Sequence, residues 1–126
     1  MLKIVLVEDD QFLGGLIASK LTKVGFGVIR AFTGEEGLRK VKAERPELIL
    51  LDILLPGLSG FDVLARIKED PQIMEIPVIM LTNLGQREDV AKATSLGAQD
   101  YIIKAHFTPG EITEKVIALV GKPTPA

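Results

Sequence analysis

Cysteine is absent from the 126 residues, and histidine occurs once, at His106. Without thiols there is no disulfide framework, no thiolate metal site and no cysteine nucleophile, a usage compatible with a reducing compartment. Positive charge is not in excess: 15 basic and 17 acidic residues give a net charge of −2. No general basic field exists to hold nucleic acid, which argues against direct DNA binding. No apolar run approaches the length of a membrane span. The one near the start, Ile4 to Val7, is cut off by Glu8, Asp9 and Asp10, too early for a signal peptide. These absences predict a soluble, cytoplasmic protein without a membrane partner.

What is present is an ordinary globular composition, 47% apolar and 25% charged, in a chain long enough for one self-sufficient core and too short for a second domain. The stretch Leu48-Ile49-Leu50-Leu51 is followed at once by Asp52 and then by Pro56 and Gly57. Four consecutive aliphatic residues describe a strand buried on both faces, and the carboxylate falls at its end. In an open α/β sheet, the carboxyl ends of the strands are where loops open and ligands bind. A simple turn-capping role for Asp52 would leave the acids Glu8, Asp9 and Asp10 unexplained.

The same grammar recurs along the chain. Lys3 to Val7 reads as a first strand ending in Glu8 and Asp9, with Asp10 as N-cap of a helix from Gln11 to Val24 that Gly25 stops. That helix carries an apolar stripe of Phe12, Leu13, Leu16, Ile17, Leu21 and Val24. Gly27 to Ala31 is a weaker strand, placed near an edge. Thr33 and Glu36 have capping-box spacing and open a helix that stops before Pro46. Ser59 and Asp62 mark the start of a third helix, which buries Phe61, Leu64 and Ile67 and ends before Pro71. Pro77 to Leu81 is a fourth buried strand delivering Thr82 and Asn83. The next segment, Gly85 to Leu96, has few apolar residues and is expected to be the least firmly anchored helix. Asp100 to Ile103 is a fifth strand ending at Lys104. Thr108, Pro109 and Glu111 then open a last helix with the stripe Ile112, Val116, Leu119 and Val120. Five strand-then-helix units predict an α/β fold, a single doubly wound (βα)5 domain with a parallel sheet and helices on both faces.

Glu8, Asp9 and Asp52 thus fall at neighbouring strand ends, with Thr82 and Lys104 at the ends of the fourth and fifth. Three close carboxylates repel one another, and the donors on offer are all oxygen, which favours a hard cation such as Mg²⁺. A divalent ion, a hydroxyl and an ammonium around one Asp describe phosphoryl transfer to that Asp.

Val5-Leu6-Val7-Glu8-Asp9-Asp10, Asp52 with Leu55-Pro56-Gly57 and Ser59-Gly60, Thr82 thirty residues after Asp52 and Lys104 fifty-two after it resemble the receiver domain of bacterial two-component response regulators. The resemblance spans nearly the whole chain. It implies a flavodoxin-like domain over residues 1–121, with strand order 2-1-3-4-5, and a tail or linker stub at 122–126. It also implies that Asp52 is the phosphoacceptor, with Glu8, Asp9, Asp52 and the Leu54 carbonyl holding Mg²⁺. Thr82 would bind a phosphoryl oxygen, Lys104 would pair with the phosphate, and Tyr101 would be the aromatic switch. Asp10 is a candidate third acidic ligand but is better read as a helix cap. The implied partners are a sensor histidine kinase or histidine phosphotransfer protein, and a downstream protein target or a missing output domain; a dimer on activation is compatible. Such a chain is a regulatory phosphoacceptor rather than an enzyme, although it promotes its own Mg²⁺-dependent phosphorylation and slow dephosphorylation.

Several positions depart from the common pattern of that family. Ala105 follows Lys104 where Pro is usual, and a cis bond there without Pro would cost about 3 kcal/mol. Asn83 replaces a small residue and either narrows donor access or adds a hydrogen bond to phosphate. Leu54 and Leu84 are aliphatic where many relatives are polar, which bears on dephosphorylation. His106 is read as a surface or capping residue, so the phosphohistidine should come from a partner. Two rival functions carry less weight. An aspartate-nucleophile phosphatase of the haloacid dehalogenase type would need a second Asp where Leu54 stands. A degenerate receiver acting only as a docking module would not need the full acid, Thr and Lys set.

Overall fold

Every residue of Leu48-Ile49-Leu50-Leu51 is fully buried, and the run forms a strand at the centre of a five-stranded parallel sheet. The computed structural model describes residues 1–123. In chain order the elements are β1 (Lys3–Val7), α1 (Gln11–Val24), β2 (Gly27–Ala31), α2 (Gly34–Glu44), β3 (Leu48–Leu51), α3 (Gly60–Glu69), β4 (Val78–Thr82), α4 (Arg87–Ser95), β5 (Asp100–Ile103) and α5 (Pro109–Val120). A single 3₁₀ turn, Lys104–His106, lies between β5 and α5. The strand order is β2-β1-β3-β4-β5, the expected flavodoxin-like doubly wound (βα)5 arrangement.

Alternation along the strands makes two cores. Val5, Val7, Ile49, Leu51, Val78 and Met80 face Leu38, Val41, Val63, Leu64 and Ile67 of α2 and α3, with Ala93 of α4. Ile4, Leu6, Leu48, Leu50, Ile79 and Leu81 face Ile17 and Leu21 of α1 and Ile112 and Val116 of α5. Burying each such aliphatic side chain contributes about 1.5–3 kcal/mol, so a strand covered on both faces is favoured by its whole length.

The helix ends follow the local chemistry. Asp10 accepts from the Leu13 N–H at 3.0 Å, and Gly25, with φ of 116°, closes α1 in the left-handed region. Thr108 and Glu111 form the full capping box of α5. At α2 only half of the expected box forms. Thr33 accepts from the Glu36 N–H at 3.1 Å, but the Glu36 carboxylate reaches back one residue further, to the Phe32 N–H at 2.7 Å.

Two sequence expectations, both on helix stripes, need correction. Phe12, at 78% exposed, and Leu16, at 44%, do not belong to the core, because α1 meets the sheet and α5 through the narrower row of Ile17 and Leu21. Leu119 of α5 is likewise exposed. The stretch expected as a tail from Lys122 starts packed, since Pro123 is buried and sits against Gly25. The remaining tail residues, Thr124, Pro125 and Ala126, lie outside the described residues. The weak anchoring expected for α4 is observed: Ala93 is its only buried residue, and Gln86 makes no side-chain cap.

Candidate functional site at the carboxyl ends of the strands

β1 and β3 are neighbours whose crossovers run to opposite faces, and ligands bind at such a switch point in open α/β sheets. Glu8 and Asp52 each stand one residue beyond their strands and are still held by sheet-like bonds. The Glu8 N–H donates to the Ala31 carbonyl at 3.0 Å, and the Asp52 N–H donates to the Val7 carbonyl at 3.0 Å. The backbone is therefore fixed right up to both acids. Asp52 Oδ1 accepts from the Ile53 N–H at 2.7 Å, which orients the carboxylate.

Gly60 presses on the same spot. Its N–H donates to the Ile53 carbonyl at 2.8 Å, and a Cβ there would lie 2.0 Å from the Asp52 carbonyl oxygen. Only glycine lets α3 begin this close to the acid. From the other side, Glu35 of α2 accepts from the Leu58 N–H at 2.8 Å and braces the loop that follows Asp52. That hydrogen bond holds the Glu35 carboxyl below the ordinary carboxylate range. Nothing in the sequence singled out Glu35, because the bond joins residues 23 apart with no local signature.

Lys104 reaches across the sheet from the end of β5. Its Nζ lies 2.7 Å from Asp52 Oδ2 and 2.5 Å from Glu8 Oε1, with only 10% of its side chain exposed. Asp9 is exposed beside them, and one oxygen from each of Glu8, Asp9 and Asp52 lies within 4.8 Å of the others. Thr82, the last residue of β4, is fully buried, and its hydroxyl accepts from the Leu84 N–H at 3.3 Å. The sequence-predicted set of Glu8, Asp9, Asp52, Thr82 and Lys104 is thus brought to one end of the sheet.

The charges in this cluster are interdependent. Burial pushes the Glu8 carboxyl up to about 8, and the adjacent Asp52 adds to the rise against the opposing Lys104. Burial acts on Asp52 in the same sense, but contacts with Glu8 and Lys104 and the Thr82 hydroxyl outweigh it and hold its carboxyl below the ordinary range. Lys104 is pushed down by burial and pulled up further by its two carboxylate partners. Of the two buried acids, Glu8 is thus the one that favours a proton and Asp52 the one that favours its charge beside the Lys104 ammonium. Relief of the carboxylate repulsion does not fall to a metal ion alone, because the Lys104 ammonium supplies part of it. Taking that ammonium away would leave an uncompensated buried charge, at a cost of about 3–5 kcal/mol.

The remaining predicted residues form the rim. Leu54 is 62% exposed two residues beyond Asp52, and Leu84 is half-buried against the core on the α2–α4 face. The Tyr101 hydroxyl, on β5, donates to the Leu84 backbone carbonyl. Burial, together with the charges of Asp89 and Asp52, raises the phenol to about 12, so it stays a hydrogen-bond donor at any physiological pH. The Lys104–Ala105 bond is trans. Asn83 spends its Oδ1 on the Ala105 N–H at 3.1 Å, a contact that neither expected role had included. His106 is exposed on the 3₁₀ turn, with no side-chain hydrogen bond among the described residues.

A five-stranded doubly wound sheet with an acid cluster, a threonine and a lysine at its carboxyl edge defines a signalling-receiver class of fold and site. The family described as response regulator receiver domain matches residues 4–117, and the chain belongs to it. Among curated relatives, the uncharacterized transcriptional regulatory protein YcbL of Bacillus subtilis is 41% identical over 95% of this chain and 51% of its own length. The chain spans about half the length of the curated relatives it matches. The BeF3-activated N-terminal receiver domain of RstA from Klebsiella pneumoniae is similar at 32% identity and a TM-score of 0.83, covering 96% of this chain and 99% of that one. A response regulator solved in its Mn²⁺-bound form is similar at 27% identity and a TM-score of 0.86, over 100% of both chains. This chain is a regulatory receiver domain, and among the described residues no helix is long and apolar enough to cross a membrane.

Proposed function

We propose that the chain is a phosphoacceptor switch in which Asp52 takes a phosphoryl group from a phosphohistidine on a sensor histidine kinase or a histidine phosphotransfer protein. The observation that carries this is the geometry at one carboxylate: Asp52 is a buried strand-end acid with the Lys104 ammonium at 2.7 Å and the buried Thr82 hydroxyl on the neighbouring strand. In the transfer, an Asp52 carboxylate oxygen forms the new bond to phosphorus. The phosphorus–nitrogen bond breaks, and its electron pair leaves with the imidazole. Lys104 then neutralises the transferred group and Thr82 donates to one of its oxygens, the electrostatic stabilisation on which such transfers depend.

The donor set fits a hard divalent ion. All three side chains offer oxygen, Glu8 is 1% exposed, and its Oε2 has no hydrogen-bond partner among the described residues. Glu8, Asp9, Asp52 and the Leu54 carbonyl would hold Mg²⁺, which would supply neutralising charge to the phosphoryl oxygens. The similarity to a Mn²⁺-bound response regulator supports that reading.

Residues 1–121 form the receiver unit in this reading, with 122–126 as a tail or linker, and the protein acts in the cytoplasm. The added charge on Asp52 shifts the equilibrium of the α4 and β5 face through Thr82 and Tyr101. That face contacts a downstream protein, an output domain of a longer chain or a second copy, with no direct nucleic-acid contact by this domain. Intact-mass measurement after incubation with acetyl phosphate and Mg²⁺ tests the reading. Wild type gains one phosphoryl group and Asp52→Asn none; an unchanged gain in the variant would refute it.

A further inference from the structure

We infer that Asn83 is a positioning residue for Lys104, acting through the backbone N–H of Ala105. The inference rests on the phosphoacceptor reading of Asp52 above. The β4–β5 ladder has its last paired residues at Thr82 and Ile103. One step further on, Asn83 and Lys104 leave the sheet, and the loops that carry them turn away to α4 and to the 3₁₀ turn. At this step the Asn83 Oδ1 accepts from the Ala105 N–H at 3.1 Å, joining residues 22 apart. A side-chain amide thus adds one further cross-strand bond where the backbone ladder has ended.

The position of that bond gives it its role. It is anchored on one side one residue beyond Thr82 and on the other one residue beyond Lys104. Lys104 must hold its ammonium against both Glu8 and Asp52, at the end of a flexible four-carbon stem. A long side chain places its charge reproducibly only if its own Cα is fixed, and the turn that follows ties back to it through the Phe107 N–H, which donates to the Lys104 carbonyl at 3.2 Å. The Asn83 bond is the second tether, and it ties the lysine loop directly to the threonine loop. Ala105 can take part because it is not proline: the donor is its N–H, in a trans peptide. Asn83 touches neither Asp52 nor Glu8 by any hydrogen bond among the described residues, and the one bond its side chain makes there leads to the Lys104 loop through Ala105.

Two measurements test this, one of them independent of phosphorylation. In Asn83→Ala the Ala105 amide should exchange with solvent several-fold faster, with the amides of Phe26 and Gly27 unchanged; equal exchange in the two proteins would overturn the tether. Phosphorylation by acetyl phosphate should be about fivefold slower in Asn83→Ala at the same half-saturating Mg²⁺, since the acids are untouched. In the Ala105→Pro background, where the donor is missing, adding Asn83→Ala should change the rate by less than about twofold. An equal loss in both backgrounds would show that Asn83 acts by another route and would overturn the role. A wild type that takes no phosphoryl group would instead refute the reading of Asp52, and the positioning role with it. Both substituted positions are exposed, so neither substitution opens a cavity in the core.

Discussion

The Tyr101 hydroxyl donates to the backbone carbonyl of Leu84, tying the middle of β5 to the loop that enters α4. The same loop is held from below by the Leu84 N–H on the Thr82 hydroxyl. Leu84 is therefore gripped through both of its backbone polar groups by two residues assigned to the switch. In Tyr101→Phe one grip is lost while Asp52, Lys104 and Thr82 are unchanged. The variant should accept phosphate at a rate within about twofold of wild type and lose about 1 kcal/mol of stability. Amide exchange between residues 84 and 96 should be faster before phosphorylation and should respond less to it. An unaltered response of that segment would show that the signal does not pass through this hydroxyl.

Stability should depend on pH in a way set by Glu8. Its folded carboxyl holds a proton up to about pH 8, whereas in the unfolded chain it releases it in the ordinary carboxylate range. Between those limits the folded state carries the extra proton, so stability falls as pH rises, with a slope approaching ~1.4 kcal/mol per pH unit. Asp52 acts oppositely: its lowered value gives stability that is present above the ordinary range and lost as pH falls below it. The two contributions cancel between the ordinary values of the two carboxyls, so urea unfolding without divalent ions should show a maximum at about pH 4. Glu8→Gln should flatten the decline towards pH 8; a wild type that gains stability over that interval would contradict the charge assignment.

Divalent ions should reverse that trend. Ligands must be deprotonated to bind metal, so Mg²⁺ competes with the Glu8 proton and its affinity should rise with pH up to about 8. At a hundredfold excess over its dissociation constant it should add about 2.7 kcal/mol to the wild type. Asp9→Ala, which removes an exposed ligand without disturbing the Lys104 pairs, should show a much smaller rise in Tm. Equal rises in the two proteins would place the ion elsewhere.

The lifetime of the phosphorylated state should be controlled by Leu54 and Leu84. Hydrolysis needs a water held in line with the phosphorus–oxygen bond, and neither side chain can hold one. Loss of phosphate should be at least about tenfold faster in the double variant Leu54→Asn with Leu84→Glu. Equal decay in the two proteins would mean that water positioning at these sites does not set the rate.

The architecture was legible because its signals are local. A fully buried strand must be aliphatic throughout, and Leu48 to Leu51 announces itself for that reason; the caps at Asp10, Thr33, Ser59 and Thr108 lie within three residues of the N–H groups they satisfy. The acid cluster was legible because strand ends in a parallel sheet share one edge. Tertiary detail was not. Phe12 and Leu16 fit a helical stripe, but periodicity cannot say how wide a band the neighbouring elements will cover. The brace from Glu35 to Leu58 and the bond from Asn83 to Ala105 join distant residues through ordinary polar side chains, which carry no mark of their partners. Lys104 was placed at the site, while its double pairing with Glu8 and Asp52 depended on the reach of a side chain across two strands.

The exposed Leu54 has a meaning for information as well as for chemistry. If the mark on Asp52 decays more slowly than donors arrive, each encounter adds to those before it, and the marked fraction records accumulated history rather than the present donor level. Fast fluctuations of the input are then averaged out, and a brief stimulus leaves a trace after it ends. An aliphatic side chain at the rim, 62% exposed, would in this way set, together with Leu84, how long the molecule remembers.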